Sequence, residues 1–316
     1  MGMGNGARVV AEHALEDDVY EELEHNLPEE LVLTLAEYKR QWVELYEWLR
    51  SNGRRHHAAW LLSSSCSGTG HWLTWRGGSD GRFRFGVGEY EECLRLRLLV
   101  DPYVEQGNMV CTMCGTAFRD APLHALDCQR SQVARRYRHD RVRNHLKDLL
   151  RQCYSDAAVT MEEPIGWMAV GLEGTGRGTK ADVCMRRGPL MVIFDIAIVE
   201  PSAPTYLAMG SDSKAATAAI HREEAKRAAF TALGMDAAVQ FVPFVVEATG
   251  RLGPAALAYF IDHFEDDHRA RGQEFLAKVS ATIAKWNAKI IVANRADMAR
   301  TPAVARRQEV LSLIHI

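Results

Sequence analysis

Residues 190–199, LMVIFDIAIV, constrain the fold more than any other stretch: an apolar, β-branched run with one acid, Asp195, inside it. This pattern predicts a strand covered on both faces, in the middle of an α/β core. A buried carboxylate is costly unless it is paired or binds a cation, so Asp195 reads as a metal ligand at the open end of the strand. The competing reading is a structural acid satisfied by a cap or an arginine. Upstream, Asp182 in TKADVCM precedes the turn RRGP. Two strands joined by that Gly-Pro turn bring both acids to one edge, where such a pair can hold Mg²⁺ through oxygen.

The surrounding segments extend the α/β reading. SKAATAAIHREEAKRAAFTAL predicts an alanine-rich helix, and QFVPFVVEATG another strand, carrying Glu247. Gly250 and Gly253 then open a helix with Leu257, Phe260, Ile261 and Phe264 on one face. Strand, strand, helix, strand, helix is a mixed layout. The glycine-rich GLEGTGRGTK lacks P-loop spacing, because Thr179 stands where the second glycine belongs, and reads as a hairpin or substrate-edge loop.

CTMCGTAFRDAPLHALDC supplies Cys111, Cys114, His124 and Cys128. Two thiolates two residues apart grip one ion from a tight knuckle, with Gly115 suited to the turn. His124 and Cys128 fall one helical turn apart. Four soft or borderline ligands describe a closed structural zinc site, with no position left for chemistry. Cys66, Cys93, Cys153 and Cys184 read as buried or incidental thiols.

Charge is uneven along the 316 residues. Residues 1–50 carry 12 acids and 4 bases, whereas 115–151 carry 9 bases and 4 acids. RSQVARRYRHDRVRNHLKDLLR concentrates the positive charge on a predicted helix, the footprint of phosphate contact through Arg135, Arg136, Arg138 and Arg141; a solvated basic face is the alternative. No run approaches a membrane span and no signal peptide is evident, which predicts an intracellular chain. The expected organisation is an acidic helical lead-in over 1–52, with Leu31, Leu35, Trp42, Leu45, Tyr46 and Leu49 as its apolar stripe, then a linker module over 53–104. A zinc knuckle with its basic helix follows over 105–151, the α/β core over 152–270 and a C-terminal helix over 271–310. LSLIHI, 311–316, reads as translated sequencing adaptor, which would leave the natural C-terminus beyond this frame.

The order of these motifs resembles the C-terminal restriction-like endonuclease region of site-specific non-LTR retrotransposon polyproteins. That region has a CCHC knuckle, an Arg-His-Asp helix, a Glu-Pro step, a Lys-Pro-Asp segment, an Asp-bearing strand and a lysine on the next helix. Here they read Cys111, Cys114, His124, Cys128; Arg138, His139, Asp140; Glu163, Pro164; Lys180, Ala181, Asp182; Asp195; and Lys226. In weaker form the resemblance covers residues 55–265. Two departures stand out: Ala181 replaces proline, and Ala197 occupies the position where the wider PD-(D/E)xK pattern has lysine. The retrotransposon group shares the second, its lysine lying on the following helix.

The resemblance implies a restriction-endonuclease-like mixed sheet flanked by helices and a Mg²⁺-dependent enzyme that nicks double-stranded target DNA to prime reverse transcription. Asp182 and Asp195 would hold Mg²⁺, Lys226 or alternatively Lys214 would act on the attacking water, and Glu163 would add a further contact. Arg138 and His139 would hold the phosphate backbone, with helix packing the other reading of His139. It further implies a nuclear setting, a reverse transcriptase partner, and element RNA as another ligand. No Tyr-x-Asp-Asp polymerase box occurs in the chain. Two other classes stay open: a non-catalytic nucleic-acid-binding remnant and a stand-alone resolvase-like nuclease.

Overall fold

The computed structural model describes residues 29–300 except 67, 75–82, 104–109, 129–131, 165–179, 235–238 and 265–267. The first 28 residues of the lead-in, nearly all of the glycine-rich loop and the 311–316 tail lie outside the described residues. The described chain runs α1 (Glu29–Ser51), α2 (Arg55–Ser64), α3 (His71–Thr74), α4 (Val87–Arg97), a 3₁₀ turn (His124–Leu126) and α5 (Gln132–Cys153). It continues through β1 (Ala158–Pro164), β2 (Lys180–Arg187), β3 (Leu190–Val199), α6 (Pro204–Ala208), α7 (Thr217–Thr231), β4 (Val239–Glu247), α8 (Pro254–Phe264) and α9 (Arg269–Arg300).

The strands form one open mixed sheet in the order β1-β2-β3-β4. β1 and β2, and β2 and β3, are antiparallel; β3 and β4, joined through α7, are parallel. The hairpin between β2 and β3 turns at Gly188, whose φ of +57° is one that glycine adopts without a Cβ penalty. Pro243 lies within β4, where a missing N–H is tolerated because β4 is an edge strand.

As its composition predicts, β3 is covered on both faces. Val192, Phe194 and Ile196 pack with Val142, Leu146 and Leu150 of α5, while Ala197 and Val199 meet Ala218 and Ala219 of α7. The small side chains of α7 let its backbone approach the sheet. α5 presents Val142, Leu146, Leu149 and Leu150 at helical spacing, which buries one face and leaves Arg136, Tyr137 and Arg141 exposed. The basic helix is therefore a wall of the α/β core, so the boundary expected at 151/152 falls inside a packed unit.

Three other expectations change. The described residues of the expected linker module, 53–104, join the packed core: Trp60 of α2 and Leu96 of α4 share an apolar cluster with Cys111 and Cys128 of the knuckle and Ile290 and Ile291 of α9. Their turn-rich, serine-rich composition hid short helices that find their apolar partners only in distant sequence. In α1, Trp42, Tyr46 and Leu49 are buried, but Leu45 is 42% exposed and lies off the stripe. β1 is a strand without an apolar strand pattern, because its polar sequence AVTMEEP buries only Val159 fully.

Candidate functional site

The β2–β3 register sets Val183 opposite Phe194, so the next residues outward, Asp182 and Asp195, face each other near the open end of the hairpin. Helices on the two faces of the sheet then reach them. From α5, His139 Nε2 lies 3.3 Å from Asp182 Oδ2, which also accepts the backbone N–H of Ile196 at 2.7 Å. From α7, Lys226 Nζ sits 2.5 Å from Asp195 Oδ1, with its own side chain only 9% exposed. Lys226, rather than Lys214, is the lysine that meets the acid.

The two carboxylates are driven apart in acidity. Burial raises Asp195, and the neighbouring Asp182 adds to it by like charge, while Lys226 opposes both; the balance stays above the ordinary carboxylate value. Burial also lifts Asp182, but hydrogen bonds from His139 and the Ile196 N–H, with the charges of His139 and Lys226, bring it below the ordinary value. His139 is lowered by burial and raised more strongly by Asp182 and Asp140. The result is two adjacent carboxylates, Asp195 held against the Lys226 ammonium and Asp182 against the His139 imidazole.

Other expected site residues go elsewhere. Glu163 gives its oxygens to Arg186 and Thr160, apart from the His139–Asp182–Asp195–Lys226 cluster, because it lies on β1 beyond β2. Arg138 borders the same helix face but is 2% exposed and donates to Asn287 Oδ1 of α9 and the Leu126 carbonyl, so it is a buried strut rather than an exposed phosphate contact. Arg135 is half-buried, donating to the carbonyls of Asp127 and Cys128 at 3.1 and 3.2 Å. Arg136 and Arg141 remain exposed. Sequence reading did not single out Tyr206 and Arg222, which stand across a groove from Arg136. The available signal for Arg222 was its position one turn before Lys226 on the same helix.

The knuckle residues converge as their spacing predicts. The ligand atoms of Cys111, Cys114, His124 and Cys128 all lie within 4.8 Å of one another. Cys111 Sγ and Cys114 Sγ are each 3.8 Å from Cys128 Sγ, the edge length of a tetrahedron with Zn–S bonds of about 2.3 Å. The turn that bends the first pair is closed by Gly115 N–H to Cys111 O at 2.7 Å, with Gly115 at φ +80°. Burial opposes ionisation of Cys114, yet hydrogen bonds from Thr116 and His124 outweigh it and lower the thiol to about 6. This Cys₃His cluster can bind a metal such as zinc. Of the remaining thiols, Cys66, Cys93 and Cys184 are buried and Cys153 is partly so.

Among the described residues no helix is long and apolar enough to cross a membrane. Neither the known protein-family models nor the curated proteins include a match to this chain.

Proposed function

We propose that the chain is a metal-dependent DNA endonuclease with a restriction-like core, of the kind found in non-LTR retrotransposon polyproteins. The observation that carries this reading is the contact between Lys226 Nζ and Asp195 at 2.5 Å, beside Asp182. It restores an acid–lysine pair that Ala197 had removed from the strand itself. A β-hairpin bearing two acids, a parallel neighbour strand and a helix delivering lysine support the restriction-like assignment of the mixed sheet.

Asp182 and Asp195 are hard oxygen donors whose mutual repulsion a divalent cation relieves, so they suit Mg²⁺. Held by Asp182 and Asp195, such an ion would supply polarisation of a phosphoryl oxygen and a lowered pKa for the attacking water. Lys226, fixed by Asp195, orients that water or stabilises charge developing on phosphorus. His139 holds Asp182 in its ionised form and fixes its orientation. Hydrolysis breaks one phosphodiester and leaves a 3′-hydroxyl, the end a reverse transcriptase extends. The proposal therefore includes nuclear target DNA and a polymerase partner, with element RNA as a further ligand.

The test is Mg²⁺-dependent nicking of duplex DNA by the full chain. Asp195→Ala abolishes it on this reading, and equal cleavage by that variant rules the site out.

A further inference from the structure

Beside the acid cluster runs a groove of about 600 Å³. Its floor is Ile196–Val199, the end of β3 immediately after Asp195, and His139 stands within it. One wall is the basic helix α5, carrying Arg135 and Arg136; the other is α6 with the start of α7, carrying Thr205, Tyr206 and Arg222. The lining is strongly polar, unlike the mostly apolar walls of a small-molecule pocket. Its one lining carboxylate, Asp127, is paired with Arg135 at 3.4 Å; Arg222, and Arg136 with its Nε 4.0 Å from Asp140 on the same helix, leave the lining net positive.

The far wall comes from the long insert between β3 and α7, and that insert is anchored. Arg55 of α2 grips Asp212 at 2.8 Å and the Leu207 carbonyl at 2.6 Å, Tyr46 of α1 donates to the Asp212 carbonyl at 2.8 Å, and His56 meets the Ser202 carbonyl at 2.8 Å. The N-terminal helices thus hold α6 in place. Arg222 is exposed on α7, one turn before Lys226, and Arg136 is exposed one turn before His139 on α5. The two guanidinium groups therefore flank the groove on the elements that also carry His139 and Lys226.

We propose that this groove seats a backbone phosphodiester of the DNA strand being cut, next to the scissile one, with Arg136 and Arg222 as its positioning residues. The proposal rests on the nuclease reading for the identity of the strand. An arginine on each side supplies charge-assisted donors to an anion, and continuity with β3 sets the held phosphate in line with Asp195. Tyr206 gives the insert a role beside Arg222 of α7: it completes a strand-wide channel that α5 alone leaves open.

The test is the salt dependence of duplex binding by the full zinc-loaded chain without Mg²⁺, read by fluorescence anisotropy. Arg222→Ala and Arg136→Ala should each make the log K against log salt slope shallower by about 0.9, and the double variant by about 1.8. Arg40→Ala, on the exposed face of α1, should leave it unchanged. Slopes equal to wild type in all the groove variants would overturn the proposal. A loss seen only with an RNA hairpin of the same sequence, and not with duplex DNA, would also overturn it. Failure of the nuclease reading looks different: wild-type protein then binds with the groove-dependent slope and produces no Mg²⁺-dependent nick.

Discussion

Lys226 and Asp195 meet at 2.5 Å although one lies on a helix and the other inside a strand. The contact makes Lys226, itself buried, the partner that keeps the partly exposed Asp195 ionisable, since its charge opposes the upward push of desolvation and of Asp182. Lys226→Met removes that opposition and raises Asp195 further. The acidic limb of the nicking pH profile should therefore move to higher pH, and the plateau rate should fall by roughly 10²–10³, the scale for losing one preorganised donor. An unshifted limb in Lys226→Met would separate the lysine from the acid.

The knuckle is predicted to be a folding element. Cys111 and Cys128 sit in one apolar cluster with Trp60, Ile290 and Ile291, and the carbonyls of Asp127 and of the last ligand, Cys128, anchor Arg135 of α5. One zinc per chain should be found by elemental analysis, and a chelator or Cys128→Ser should lower Tm clearly. A metal-free chain melting at the same temperature would contradict this.

Arg138 illustrates how burial redirects a residue. Arg138→Ala strips a donor from Asn287 Oδ1 and the Leu126 carbonyl. The unsatisfied groups should cost about 1–3 kcal/mol of stability, while the salt slope of DNA binding stays as in wild type. Chemical denaturation and anisotropy measure the two halves. A large change in slope would restore a phosphate contact.

Glu200 predicts a pH dependence of stability. Its carboxyl is 2% exposed, and burial pushes it up to about 8, against hydrogen bonds from the Ser202 N–H and hydroxyl. Because the folded value is raised, its contribution is fullest below the unfolded carboxylate value and is lost as pH rises toward about 8. Glu200→Gln removes that titration, so its Tm should gain on wild type as pH is raised from 5 to 8. A constant difference across that range would show Glu200 to be unperturbed.

Much of the site could be read in the sequence because it depends on local pattern. The apolar run of β3, the Gly-Pro turn and the Cys-x2-Cys spacing each encode geometry within a few residues. Lys226 came only through the resemblance and could not be placed by spacing, since the α6 insert intervenes. What remained hidden depends on partners distant in sequence. Arg138 reads as a surface arginine until α9 covers it, Glu163 until β1 pairs outside β2, and residues 53–104 as a linker until their apolar faces meet α9 and the knuckle. His139 gave two readings because α5 is both basic and packed. Its position against Asp182 gives it an electrostatic role that neither reading anticipated.

The most direct measurement is nicking of supercoiled plasmid by the full zinc-loaded chain, with and without Mg²⁺, comparing wild type and Asp195→Ala at equal zinc content. The account predicts open-circular product that requires Mg²⁺, carries a polymerase-extendable 3′-hydroxyl and is absent with the variant. Nicking by Asp195→Ala at the wild-type rate would contradict it.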